Sequence, residues 1–276
     1  MTYSETPLRI RDRFPSLATI EGALFPTAKA NRTSIGEYEK ALELRGELTD
    51  AVKDSIAKAR GIREQTRAVI YVAGPLTGVD EKTKMRYKEV SDLLDNYGYI
   101  EAPGDEKTKL FFGYVPHLHG TDPVKHPNVS PNEVRAIDHL WAVVIADFHV
   151  NFLHPVAHGN AIEEGWAEDH MIPTAYQNQK GNKLSRLVLG MDNIASRNEY
   201  DEFNIDGLGQ LRIFLDEYAA WLKTFQNRDA REFWYVSTAV LDMPVARPPL
   251  LVENGLDPNR INPTFAVDQL LIYIKA

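Results

Sequence analysis

Apolar and polar positions alternate along this chain in blocks that predict helices and strands in turn. From Ser34 to Glu64 there is no proline, and Leu44, Leu48, Val52 and Ile56 recur at every fourth residue. That spacing predicts one amphipathic helix whose apolar face packs on a core or on a neighbouring subunit. Ala68-Val69-Ile70-Tyr71-Val72-Ala73 is a continuous apolar run, stopped by Gly74-Pro75-Leu76-Thr77-Gly78, and reads as a buried strand. Tyr87, Val90, Leu93, Leu94 and Tyr97 then fall at helical spacing, ended by Gly98. Tyr99–Pro103 reads as a short second strand, so 68–103 is predicted to be a strand–helix–strand unit.

Residues 104–131 are polar and rich in Pro and Gly, and are predicted to be a long loop of the kind that often forms lids. Ser130-Pro131-Asn132-Glu133 has the grammar of a helix start: Ser as cap, Pro first, Glu third. Ala142-Val143-Val144-Ile145-Ala146-Asp147 is predicted to be a strand, His158–Ala167 a helix, and Ile172–Tyr176 another strand. Such alternation predicts an α/β architecture, a parallel sheet with helices on both faces. Residues 177–206 read as irregular, Gly207–Phe225 as a strong helix, and Phe233–Leu241 as a strand. The expected organisation is an N-terminal helical extension over 1–66, an α/β domain over 67–229, and an appended α+β segment or arm over 230–276.

Composition narrows the function. The 276 residues are 43% hydrophobic and 25% charged, ordinary for a soluble globular protein. A formal net charge of −8 argues against nucleic acid as the main partner, since phosphate backbones need clustered Lys and Arg. Cysteine is absent, which removes disulfides and thiolate chemistry and fits a cytoplasmic setting. The N-terminus lacks the basic start and apolar core of a signal peptide, and no apolar run is long enough to span a bilayer. All eight histidines lie between residues 117 and 170, but no spacing among them matches a zinc pattern, so no metal is expected.

The candidate chemistry gathers around Ala157-His158-Gly159-Asn160-Ala161-Ile162-Glu163-Glu164-Gly165. Asn160 is expected as the N-cap and Glu163 as the third helical residue, beside the carboxyl end of a strand, where open α/β sheets bind ligands. Glu163 then has two readings. It closes a capping box, or it is a carboxylate kept ionised by the helix N-terminus and able to attack an anomeric carbon. Such chemistry wants a second carboxyl group to assist the leaving group, and Asp138, Asp147 and Glu133 are candidates. Gly74–Gly78 follows the first strand, where a backbone cradle would sit; it is neither a Walker nor a dinucleotide fingerprint.

At these residues the chain resembles the nucleoside 2-deoxyribosyltransferase family, which includes the 2′-deoxynucleoside 5′-phosphate N-glycosidases. Tyr71-Val72-Ala73-Gly74-Pro75 matches its first strand, Tyr97-Gly98-Tyr99-Ile100 its step from helix to strand, and Gly159, Glu163, Gly165 and Ala167 its active-site signature. Ala157 stands where the family often has Ser. The resemblance implies a doubly wound, Rossmann-like or flavodoxin-like domain and a retaining displacement with Glu163 as nucleophile. It places Tyr71 near Glu163, and Ala73, Gly74, Pro75, Leu76, Gly78, His158, Gly159 and Asn160 around the substrate. Asp138 precedes Glu163 by 25 residues, close to the family's assisting acid, while alignment through the strand points nearer Glu133 or Val134. A small-molecule nucleoside or nucleotide substrate, no organic cofactor and a homo-oligomer are implied. Two alternatives stand beside this reading: a non-catalytic nucleotide-binding or sensor domain, and an NAD glycohydrolase or nucleotide phosphoribohydrolase.

Overall fold

The structure is a computed structural model that describes residues 33–76, 79–101, 107–122, 124–154, 157–170, 172–182, 194–200, 209–224 and 230–231. Two helices lead in, α1 (Ile35–Leu44) and α2 (Asp50–Gln65), where the fourfold spacing predicted one. The break between them contains Gly46 at φ +70°, a backbone conformation L side chains rarely adopt. Ser34 and Glu37 open α1 with a complete capping box. The break undoes the predicted face. Val52 and Ile56 are buried, but Leu44 is 80% exposed.

The chain continues through β1 (Thr66–Ala73), α3 (Glu81–Asp95), β2 (Tyr99–Glu101), β3 (Lys107–Tyr114), the single turn α4 (Pro116–His119) and α5 (Pro131–His139). A π-helical segment, Leu140–Ile145, prolongs α5, followed by β4 (Phe148–Phe152), α6 (His158–Asp169), β5 (Thr174–Gln179), β6 (Ile194–Tyr200) and α7 (Gly209–Thr224). The six strands form one sheet in the order β2-β3-β1-β4-β5-β6. Every pairing is parallel except β2 with β3.

Three expectations about elements are corrected. The parallel neighbour of β1 on this side is β3, which lies inside the predicted lid loop, and Tyr99–Glu101 is an antiparallel edge beside it. The apolar run predicted as a strand over 142–147 is helical to Ile145, Ala146 and Asp147 lead out of it, and the strand begins at Phe148. A continuous apolar run has no period that separates strand from buried helix, and here all six residues of Leu140–Ile145 are buried. Ile194–Tyr200 is a strand where an irregular stretch was predicted. The predicted strand at 233–241 and the appended segment lie outside the described residues.

Alternate residues of β1 enter two separate apolar clusters, as the period of a strand requires. Ala68, Ile70 and Val72 pack with Tyr87, Val90 and Leu94 of α3 and Leu211, Leu215 and Leu222 of α7. Val69, Tyr71 and Ala73 pack with Leu42 of α1, Val52 and Ile56 of α2, Ile137 of α5, the π-helical segment and Ala167 of α6. The central strand is therefore apolar on both sides, and a run without alternation follows from that. Among the described residues, no helix is long and apolar enough to cross a membrane.

Candidate active site

β1, β3 and β4 run parallel, so their carboxyl ends share one edge of the sheet. Tyr71 stands near the end of β1 and Tyr114 is the last residue of β3; both are fully buried, with rings stacked at 5.6 Å between centroids. Trp141 of the π-helical segment stacks on Tyr114 at 4.2 Å, and His149 of β4 packs against Tyr71 at 5.0 Å. This aromatic floor holds the Tyr71 phenol rigidly, and its hydroxyl donates to Glu163 Oε1 at 2.8 Å.

Glu163 comes from α6, whose N-cap is Ala157 and whose first residue is His158. Two expectations fail here. Asn160 is the third helical residue and not the cap, and Glu163 lies in the second turn, so no capping box forms around them. The first turn of α6 holds no acid. The helix dipole acts mainly on the terminal turn, and burial prevails at Glu163. Its carboxyl is pushed well above the usual range by burial and by the charge of Asp138, with the Tyr71 hydrogen bond pulling the other way.

Asp138 lies in the last turn of α5, just ahead of the π-helical segment. Burial pushes its carboxyl up to about 7, tempered by the nearby Thr121 hydroxyl. Its field reaches both phenols, which burial has already pushed well above their ordinary range. Glu163, Asp138, Tyr71 and Tyr114 therefore form one electrostatic group. Two buried carboxyls that feel each other's charge cannot both ionise easily, and both are held above the usual carboxylate range.

The adjacent Glu164 points elsewhere, as consecutive helical residues must. Its Oε1 accepts from Asn151 Nδ2 of β4 and Asn160 Nδ2, both at 2.9 Å, and Asn160 Nδ2 also donates to the Phe152 carbonyl at 3.2 Å. Burial lifts the Glu164 carboxyl to about 7. This cluster pins the start of α6 to the end of β4. Asn160 is a fastener behind Glu163.

Ala73 is buried at the end of β1, and Leu76 packs on the α3 side of the sheet. The turn between them needs Gly74 for close approach: a Cβ there would sit 2.5 Å from the Tyr87 ring, whose hydroxyl donates to the Pro75 carbonyl at 2.9 Å. Gly78 lies outside the described residues. His158 and Gly159 are exposed on the first turn of α6. Glu133 accepts from Thr49 and completes the Ser130 capping box, which accounts for it structurally.

Asp147 does not join the group. It precedes β4, at the amino-terminal edge of the sheet, where its carboxylate accepts from the Val69 amide at 2.8 Å and from both terminal nitrogens of Arg63. Its candidacy as the assisting acid depended on reading 142–147 as a strand that ends at Asp147. Tyr114 and Thr121 were not singled out from sequence, because both lie in the stretch read as a lid. The signal was Leu110-Phe111-Phe112-Gly113-Tyr114, an apolar run inside a polar segment. Among the described residues, no group of three or more His, Asp or Glu side chains is arranged to hold a metal ion. No known family model matches the chain, and no curated protein matches it.

Proposed function

We propose that this chain breaks the N-glycosidic bond of a (deoxy)ribonucleoside or nucleotide through a covalent glycosyl intermediate on Glu163. One observation carries the reading: the Tyr71 hydroxyl holds Glu163 at 2.8 Å beside a second buried carboxyl, Asp138, with a pKa raised to about 7. A positioned nucleophilic carboxylate and a proton-holding acid are the two parts a retaining displacement at an anomeric carbon requires. The sheet supports it as well. Setting aside the antiparallel edge β2, the order β3-β1-β4-β5-β6 favours a doubly wound, flavodoxin-like reading, with strand order reversing beside β1. Ligands in such sheets bind at that reversal, outside the carboxyl ends.

In the proposed reaction a Glu163 carboxylate oxygen attacks C1′. The C1′–N bond breaks, its electron pair leaves with the base, and Asp138 transfers its proton to the departing nitrogen. The resulting ester is opened by water or by a second base attacking C1′. Asp138, now a carboxylate, takes the proton from that nucleophile and Glu163 departs as a carboxylate. Before attack Glu163 must be ionised. The Tyr71 hydrogen bond favours its anion, and positive charge growing at C1′ favours it further.

The test is incubation with deoxyribo- and ribonucleosides, their 5′-monophosphates and NAD, with and without a second free base, read by chromatography. Base exchange identifies a transferase and release alone a hydrolase. Glu163→Gln should cut either on the order of 10³-fold or more. Turnover of none of these compounds, or full turnover by Glu163→Gln, refutes the proposal.

A further inference from the structure

Two hydroxyls beside Asp138 have no part in the steps above. Tyr114 is fully buried, and its hydroxyl has no hydrogen-bond partner among the described residues. Thr121, which follows α4, is 5% exposed; its buried Oγ1 approaches Asp138 closely enough to lower that carboxyl but makes no well-formed hydrogen bond. Asp138 Oδ1 is also among the buried polar atoms with no partner meeting hydrogen-bond geometry. Most buried polar atoms in folded proteins are satisfied, and those that are not mark strain or function. These three come from different elements, β3, the segment after α4, and α5, yet the Tyr114 phenol feels the charge of Asp138 and the Thr121 hydroxyl approaches its carboxyl.

Neither hydroxyl is needed by the fold at that point. Tyr114 is held by its ring, stacked between Tyr71 at 5.6 Å and Trp141 at 4.2 Å, with His119 stacked at 5.0 Å. A phenylalanine would make the same ring contacts without burying an unsatisfied hydroxyl, which costs about 1–3 kcal/mol. Thr121 is anchored by its backbone amide to Pro116 O at 3.2 Å, and the next residue, Asp122, is fixed by Lys84 at 3.1 Å. The ends of both side chains are left over for something else.

We propose that Tyr114 and Thr121 contact the substrate, forming with Asp138 a hydrogen-bonding edge that receives the polar edge of the leaving heterocycle. This rests on the function proposed above and deepens it. Asp138 supplies the proton to one ring nitrogen, and the two hydroxyls meet the neighbouring ring or exocyclic atoms. A hydroxyl donates or accepts as its partner demands. The edge therefore requires a polar leaving group but tolerates either order of donors and acceptors, and both purine and pyrimidine bases should be accepted.

Tyr114→Phe and Thr121→Val test it, each assayed on a natural nucleoside that the wild type cleaves and on a 4-nitrophenyl (deoxy)riboside. That aryl leaving group departs without a proton and presents no ring nitrogen or exocyclic amide at this edge. Each variant is expected to lose roughly 10–100-fold in kcat/KM on the nucleoside and less than about threefold on the aryl glycoside. Tyr114→Phe should melt no lower than the wild type, because it removes a buried unsatisfied group. Equal losses on both substrates mean a structural role and overturn the inference, as does wild-type activity on the nucleoside. If the wild type cleaves neither compound, the glycosidase reading itself fails and this inference falls with it, a pattern distinct from the other two.

Discussion

Replacing Asp147 separates a structural carboxylate from a catalytic one. Asp147 has 0% exposure and pairs with Arg63, whose side chain is 26% exposed. It also accepts from the Val69 amide at 2.8 Å, and so ties the end of α2 and the start of β4 to β1. Removing one partner of a buried pair costs about 3–5 kcal/mol. Arg63 keeps part of its hydration, so the ionic share falls to about 2–3 kcal/mol. Stranding the Val69 amide adds about 1 kcal/mol. Asp147→Ala should therefore lose ~3–4 kcal/mol, and Asp147→Asn, which keeps an acceptor for Val69, ~2 kcal/mol. For a domain of this size that lowers Tm by roughly 6–16 °C and 4–8 °C respectively. Calorimetry gives the stabilities, and base release at 15 °C, with both variants folded, gives the activities. Activity within about threefold of wild type is expected, because Asp147 stands at the amino-terminal edge of the sheet. Unchanged Tm would refute the energetic argument. A folded Asp147→Asn with activity lost 100-fold would show that the placement is wrong and Asp147 is a catalytic acid.

The buried acids also set a pH signature. Asp138 and Glu164 are raised to about 7 from 3.8 and 4.5, so the folded chain holds protons that the unfolded chain releases, and their contribution weakens folding as pH rises from about 4 to 7. His117, His119, His139 and His149, lowered to about 4 from 6.5, act oppositely, strengthening folding as pH climbs from about 4 to 6.5. Asp138→Asn and Glu164→Gln should each gain stability relative to wild type between pH 5 and 7.5 in urea unfolding; a constant difference would rule the raised acids out. Tyr71→Phe removes the 2.8 Å bond that favours the Glu163 anion, so kcat should fall roughly 10–100-fold and the acidic limb of the rate profile should move to higher pH. Gly74→Ala forces a Cβ to 2.5 Å from the Tyr87 ring; denaturation should show a loss of about 1–3 kcal/mol, and no loss would mean the turn can shift freely.

Some of the site could be read along the chain because its parts are local. The run into β1, its stop at Gly74-Pro75, and a helix carrying Glu163 after a strand are patterns within a dozen residues. The capping box at Ser130 and Glu133 is another, and it forms as spelled. Errors arose where a pattern has two physical solutions. Ala142–Ile145 is apolar throughout, and only its position behind β1 and α6 makes it helical. Leu44 and Leu48 continue the period of Val52 and Ile56, yet Gly46 bends the chain between them, and only the sheet decides which leucine it covers.

The chain by itself determined the strand β1 and its stop at Gly74-Pro75, the capped start of α5, and a helix carrying Glu163. Periodicity and backbone preference are properties of neighbours in sequence, so they survive without a fold. The tertiary structure alone decided the protonation and partners of those residues. It brought Tyr71, Tyr114 and Asp138 into the electrostatic reach of Glu163 from three other elements, removed them from water, and raised the Glu163 carboxyl where the helix N-terminus was expected to favour its charge. It also sent Asp147 to Arg63 at the opposite edge. Desolvation and the pairing of charges depend on groups 25 to 92 residues apart in sequence, as Asp138 and Tyr71 are from Glu163, and no local pattern encodes them.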